Sequence, residues 1–264
     1  MNIFIRELKA NRTALIVWSV CMIIGVLSGM SKYETYSSGG AAGQALTELP
    51  RSMRALLGMG SFNVSVMSGY FAFLFSYIEI ALTIHAVLLG SGIISKEERD
   101  KTTEFLMVKP ISRAGVITAK MMAALVNLFL LNLITLISSL VFVSAYNKDT
   151  DITGEIITFF IALFLVQLMF LSLGALLGAS IKGGGASGSW SVTILLIGYL
   201  IAKVTDINEK LDALNVLSPF KYFDYGDIVR GDGLTVSSVA FTLVLVILFF
   251  TGTYFFYNRR DLSV

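Results

Sequence analysis

Residues 95–113, SKEERDKTTEFLMVKPISR, decide how this chain is read. They are dense in charge, and they sit between two long apolar stretches. Upstream, residues 55–95 carry one acid, Glu79, and the only histidine, His85. Downstream, residues 121–147 carry no charged side chain. Lipid cannot hydrate charge, so a segment of this kind faces water. Set between two membrane-length spans, it offers a docking surface for a soluble partner.

Composition agrees. The 264-residue chain is 55% hydrophobic and only 14% charged, against about 25% charge in a soluble domain. Its apolar residues come in runs, not alternations. An apolar run of about 20 residues spans the roughly 30 Å hydrocarbon core as a helix. Six such runs predict membrane helices over 14–30, 69–94, 116–146, 156–181, 187–203 and 236–257. Pro50, Pro110 and Pro219 all fall outside them, as helical spans require. Tyr33, Tyr70, Tyr146 and Tyr257 mark span ends, where a ring with a wet hydroxyl suits the headgroup level. The expected fold is all-α and polytopic, a single domain over 1–264. The one cysteine, Cys21, excludes an internal disulfide. A net charge of +2 gives no reason to expect nucleic acid.

Residues 1–12 read as a short interfacial helix, with Phe4, Ile5 and Leu8 on one face and Arg6, Lys9 and Arg12 largely off it. The following span is expected to be retained, not cleaved as a signal peptide. With both termini cytoplasmic, inside segments hold twelve Lys and Arg residues and outside segments hold eight. Segment 95–113 is then cytoplasmic. Within it, Ser95 and Glu98 have capping-box spacing, and Pro110 ends the helix.

Glu97-Glu98-Arg99, Thr102, Glu104-Phe105-Leu106, Lys109-Pro110-Ile111-Ser112-Arg113 and Lys120 together resemble the permeases of ABC-2-type transporters. In that family a similar run joins the second and third spans as a cytoplasmic coupling helix. Leu217-Ser218-Pro219-Phe220 and the terminal Tyr257-Asn258-Arg259-Arg260-Asp261-Leu262 are similar to family features as well. Lys101 stands where the family has glycine. The resemblance implies an exporter permease in the plasma membrane. It implies two ATP-binding subunits that carry ATP and magnesium, and a second permease subunit, identical or paralogous. No Gly-Lys pair occurs in the chain, so it has no phosphate loop of its own. No cofactor, metal site or catalytic residue is expected. Lys96, Glu97, Glu98, Arg99, Thr102, Glu104, Phe105, Leu106 and Met107 are the expected ATPase-coupling residues.

Glu79, Phe75 and His85 are the candidates for a translocation path, because intramembrane ionisable groups are functional by default. The structural alternative is a wet interfacial Glu79 and a His85 that bonds between helices. Asn127, Asn132 and Gln167 read as interhelical hydrogen-bond formers. The phenylalanine-rich second span suits a hydrophobic or amphipathic cargo, such as a peptide toxin or antibiotic. A lipid or polysaccharide is the rival cargo. Gly185-Ala186-Ser187-Gly188 matches the nucleophile motif of rhomboid proteases, but no histidine follows Ser187 to serve as base. A solitary secondary transporter would need paired intramembrane charges, and the spans offer one buried acid.

Overall fold

A computed structural model describes residues 3–37, 48–59, 62–102, 112–147, 150–181 and 185–259. Among these residues there is no strand. Six long helices are apolar enough to cross a membrane. They are α1 (Ile3–Met30), α4 (Met67–Arg99), α5 (Arg113–Tyr146), α6 (Thr153–Ser180), α7 (Ala186–Ile207) and α9 (Val236–Arg259). Short helices α2 (Tyr33–Ser37), α3 (Arg51–Leu56) and α8 (Tyr225–Arg230) lie in the connections. Two 3-10 turns, Glu209–Leu217 and Pro219–Lys221, precede α8.

The described polar connections hold little helix: α3 starts after Pro50 and runs six residues. The spans hold more. No break separates an interfacial helix over 1–12 from the first span: α1 is one helix from Ile3 to Met30. Nor does a new helix start at Ser95. That residue is buried inside α4, and its hydroxyl donates to the Ser91 carbonyl at 2.8 Å. The capping box is therefore not formed. At about 1.5 Å per residue, the 33 residues of α4 reach about 50 Å. That exceeds the hydrocarbon thickness of ~30 Å, so α4 is long enough to carry Lys96–Arg99 beyond a hydrocarbon core.

α6 lies at the centre, packed on α4 and α9, while α1 packs chiefly on α5. The α4–α6 crossing is nearly backbone to backbone. A β-carbon on Gly174 would lie 2.3 Å from the Val87 carbonyl oxygen, and one on Gly90 2.1 Å from that of Leu171. Gly178 makes the same approach to Ser91, at 2.7 Å. Gly174 and Gly178 have the small-xxx-small spacing that brings membrane helices together.

Polar side chains bind the same core. Asn132 on α5 donates to Gln167 on α6, and Gln167 donates to the Leu82 carbonyl of α4 at 3.2 Å. Three helices are thus joined by two of the amides expected to do so. Asn127 is buried, and its Oδ1 accepts no bond. Phe71 and Phe75 of α4 stack with Phe159 of α6, and Tyr225 of α8 closes the ring layer 5.4 Å from Phe75.

Candidate functional site

The N-terminus of α1, the C-terminus of α4, the start of α5 and the end of α9 meet at one end of the bundle. Arg6 bonds Glu97 at 3.2 Å, and Arg113 donates to the Asn258 carbonyl at 3.1 Å. Both chain ends therefore share a side with the α4–α5 connection.

That end is built around five charges. Glu7 of α1 is fully buried and pairs with Lys96 of α4. Glu97 of α4 pairs with Lys120 of α5 and with Arg6 of α1. Lys120 is itself fully buried and donates a further bond to the Ile93 carbonyl at 2.6 Å. Three helices are clamped by two acids and three bases. A buried charge of this kind is tolerable because each has an opposite partner; Glu7 Oε1 makes no hydrogen bond but lies 3.5 Å from the Arg6 guanidinium.

The network divides the expected coupling residues. Lys96 and Glu97 point inward and hold the bundle together. Arg99, Asp100, Lys101 and Thr102 are exposed beyond it, and Glu98 is half-buried. Glu104, Phe105, Leu106 and Met107 lie outside the described residues.

α4 ends in a glycine-type stop without a glycine. The Thr102 amide donates to the Glu97 carbonyl at 2.7 Å, and the Lys101 amide to that of Glu98 at 3.2 Å. This is the Schellman pattern, and it requires a left-handed residue. Lys101 supplies it with φ of 54°, alone among the described non-glycine residues. Glycine, the residue expected at this position from the resemblance, adopts this conformation without a steric cost. Replacing Lys101 by glycine is expected to stabilise the protein by about 1 kcal/mol. Lys101→Val will do the reverse, and thermal unfolding in detergent reads both. Eleven residues on from Lys101, the Ser112 hydroxyl accepts from the Gly115 amide at 3.1 Å and starts α5.

The path candidates do not gather at one place. Phe75 is wholly buried in the ring stack, inside the chain's own core. His85 packs edge-on against Trp18 of α1 at 5.2 Å, and its Nδ1 bonds nothing. Glu79 lies at the opposite end of the bundle from the charge network, in the wall of a cavity of about 490 Å³. α3, α4, α7, α8 and the 3-10 turns enclose this cavity. The Tyr225 hydroxyl hydrogen-bonds Glu79. Burial, and then the Glu79 charge, push that phenol well above its ordinary range. Lys221 pairs with Asp206, whose second oxygen is 3.8 Å from Lys203.

Phe220 of the Ser218-Pro219-Phe220 step lines this cavity. Ser218 donates to the Gly198 carbonyl at 2.8 Å, and Phe220 packs on Tyr199 and Phe170. These bonds fix the connection onto α7 and α6.

Proteolytic chemistry has no geometry here. Ser187 donates to Ser95 at 3.2 Å. Ser95 lies ten residues along α4 from His85, about 15 Å by helix rise. Among the described residues no group of His, Cys, Asp and Glu is arranged to hold a metal ion.

The six long apolar helices define a polytopic membrane protein, with both described chain ends on one side of the bundle. The family model described as ABC-2 family transporter protein matches residues 1–262, and the chain belongs to that family. Membership makes it the membrane component of an ABC transporter, with an ATP-binding partner. No curated protein matches the chain.

Proposed function

We propose that this chain is the permease subunit of an ATP-driven exporter in the plasma membrane. Two copies, or one copy and a paralogue, work with two separate ATPase subunits. The end that holds both termini faces the cytoplasm, and the ATPase seats against the segment from Glu98 through Met107. Neither ATP nor its hydrolysis belongs to this chain.

The charge network at the foot of that segment supports this reading most directly. Lys96 and Glu97 precede the exposed residues with no break in the helix. Their bonds to Glu7, Arg6 and Lys120 join α4 to α1 and α5. Motion of the partner at Arg99 is therefore delivered to three helices at once. Lys96 and Glu97 transmit it, and Glu98, Arg99 and Thr102 receive it. A hydrophobic or amphipathic cargo fits the apolar spans, with a peptide toxin or antibiotic favoured over a lipid or polysaccharide.

Co-expression with the ATP-binding partner tests the proposal. Replacing Glu98, Arg99 and Phe105 together by alanine will abolish co-purification of the ATPase. In intact cells, a cysteine at Lys101 will resist a membrane-impermeant maleimide until the membrane is opened. An ATPase retained by the triple variant, or labelling of intact cells, overturns the reading.

A further inference from the structure

The cavity around Glu79 lies far from the charge network, and the coupling role makes no use of it. Its volume of about 490 Å³ falls within the roughly 300–1,000 Å³ typical of small-molecule sites. Its walls carry both signs of charge, and part of that charge is already committed. Lys221 and Lys203 share Asp206. Asp224 caps α8 by accepting from the Gly226 amide at 2.6 Å.

Two lysines on one carboxylate leave a surplus positive charge, and Lys203 lends part of it to Glu79. Among the described residues, Arg54, Glu79 and Asp212 have no ion-pair partner of their own in the cavity. Arg54 of α3 lines the cavity, and its buried Nε has no hydrogen-bond partner. A guanidinium N–H removed from water with nothing to bond is costly. An anionic group in the cavity removes that cost and gains a charge-assisted bond. Glu79 is buried, with the Tyr225 hydroxyl against it. Asp212 takes only a 3.5 Å bond from Asn215. A lone anion would meet these acids, and a lone cation would leave Arg54 unmet.

We propose that the cavity binds a small zwitterion. Its carboxylate or phosphate sits on Arg54. Its ammonium sits on Glu79, within the negative field that Asp212 extends, and its apolar body lies against Phe62 and Tyr199. Two sources share this chemistry: a free amino acid or dipeptide, and the headgroup of phosphatidylethanolamine. The proposal does not rest on the coupling role and survives its failure.

The test uses the full-length protein in nanodiscs of phosphatidylcholine and phosphatidylglycerol. The probes are radiolabelled glycyl-phenylalanine and glycerophosphoethanolamine, with glycerol phosphate and ethanolamine as single-charge controls. At least one zwitterion will bind saturably, and each single-charge control will bind about tenfold or more weaker. Arg54→Gln and Glu79→Gln will each weaken binding by about tenfold or more. The Asp212 side chain is exposed, so Asp212→Asn leaves the fold intact and weakens binding by about threefold. Binding of the dipeptide identifies a free zwitterion. Binding of glycerophosphoethanolamine alone, with phosphatidylethanolamine retained in native mass spectra, identifies the headgroup. The proposal is overturned if neither zwitterion binds, if glycerol phosphate binds as tightly as they do, or if Arg54→Gln and Asp212→Asn leave affinity unchanged.

Discussion

Gly174→Leu will destabilise the protein by about 3 kcal/mol or more, which lowers the unfolding midpoint in detergent by roughly 6–12 °C. The obstacle is backbone, not a side chain that could swing aside. Even the first added carbon would sit 2.3 Å from the Val87 oxygen and 3.0 Å from the Ser91 nitrogen. The whole α4–α6 contact must therefore part. Gly90 meets the same crossing from the other helix, and Gly90→Leu will cost a similar amount. Gly92, two residues further along α4, supplies the control. A β-carbon there meets nothing within 4 Å, so Gly92→Ala will leave the midpoint unchanged or raise it. Equal effects at Gly90 and Gly92 would show that helix propensity, not contact, governs these positions.

Lys120→Met will destabilise by about 3–5 kcal/mol. The lysine is fully buried, and its ammonium serves both Glu97 and the Ile93 carbonyl. Removing it leaves Glu97 with Arg6 alone on that side of the cluster. Adding Glu97→Gln to the same chain will recover part of the loss, because the orphaned acid is then neutral. A double variant no better than the single one would mean that Lys120 acts by packing and not by charge. Thermal unfolding of the three variants, in one detergent at one ionic strength, settles this. Raised salt will change the difference little, since buried pairs are poorly screened.

The six spans were legible because a membrane helix announces itself locally. Each needs only a long apolar run without proline, and the runs ending near Tyr146 and Tyr257 show it. Where the second span ends was not legible. Charge at Lys96–Arg99 reads as an exit from lipid. Local sequence does not say that the helix continues there, because the partners of Lys96 and Glu97 lie on α1 and α5. Glu97 and Lys120 are 23 positions apart, across the α4–α5 connection, and no periodicity links them. The Glu79 cavity was hidden for the same reason, since its lining comes from several separate segments. One signal did lie in plain view. Gly174 and Gly178 have the spacing of a close-packing membrane helix, and they mark the tightest contact of α6.

α4 joins the two ends of the molecule without a proline. It carries Glu97 at one end and, 18 residues or about 27 Å earlier, Glu79 in the cavity wall. Between them the backbone of Gly90 rests directly on α6. The helix is also held to α6 well before that point, through the rings of Phe71 and Phe75 and the Leu82 carbonyl. The two helices are therefore laminated like plies, and what bends one must bend the other.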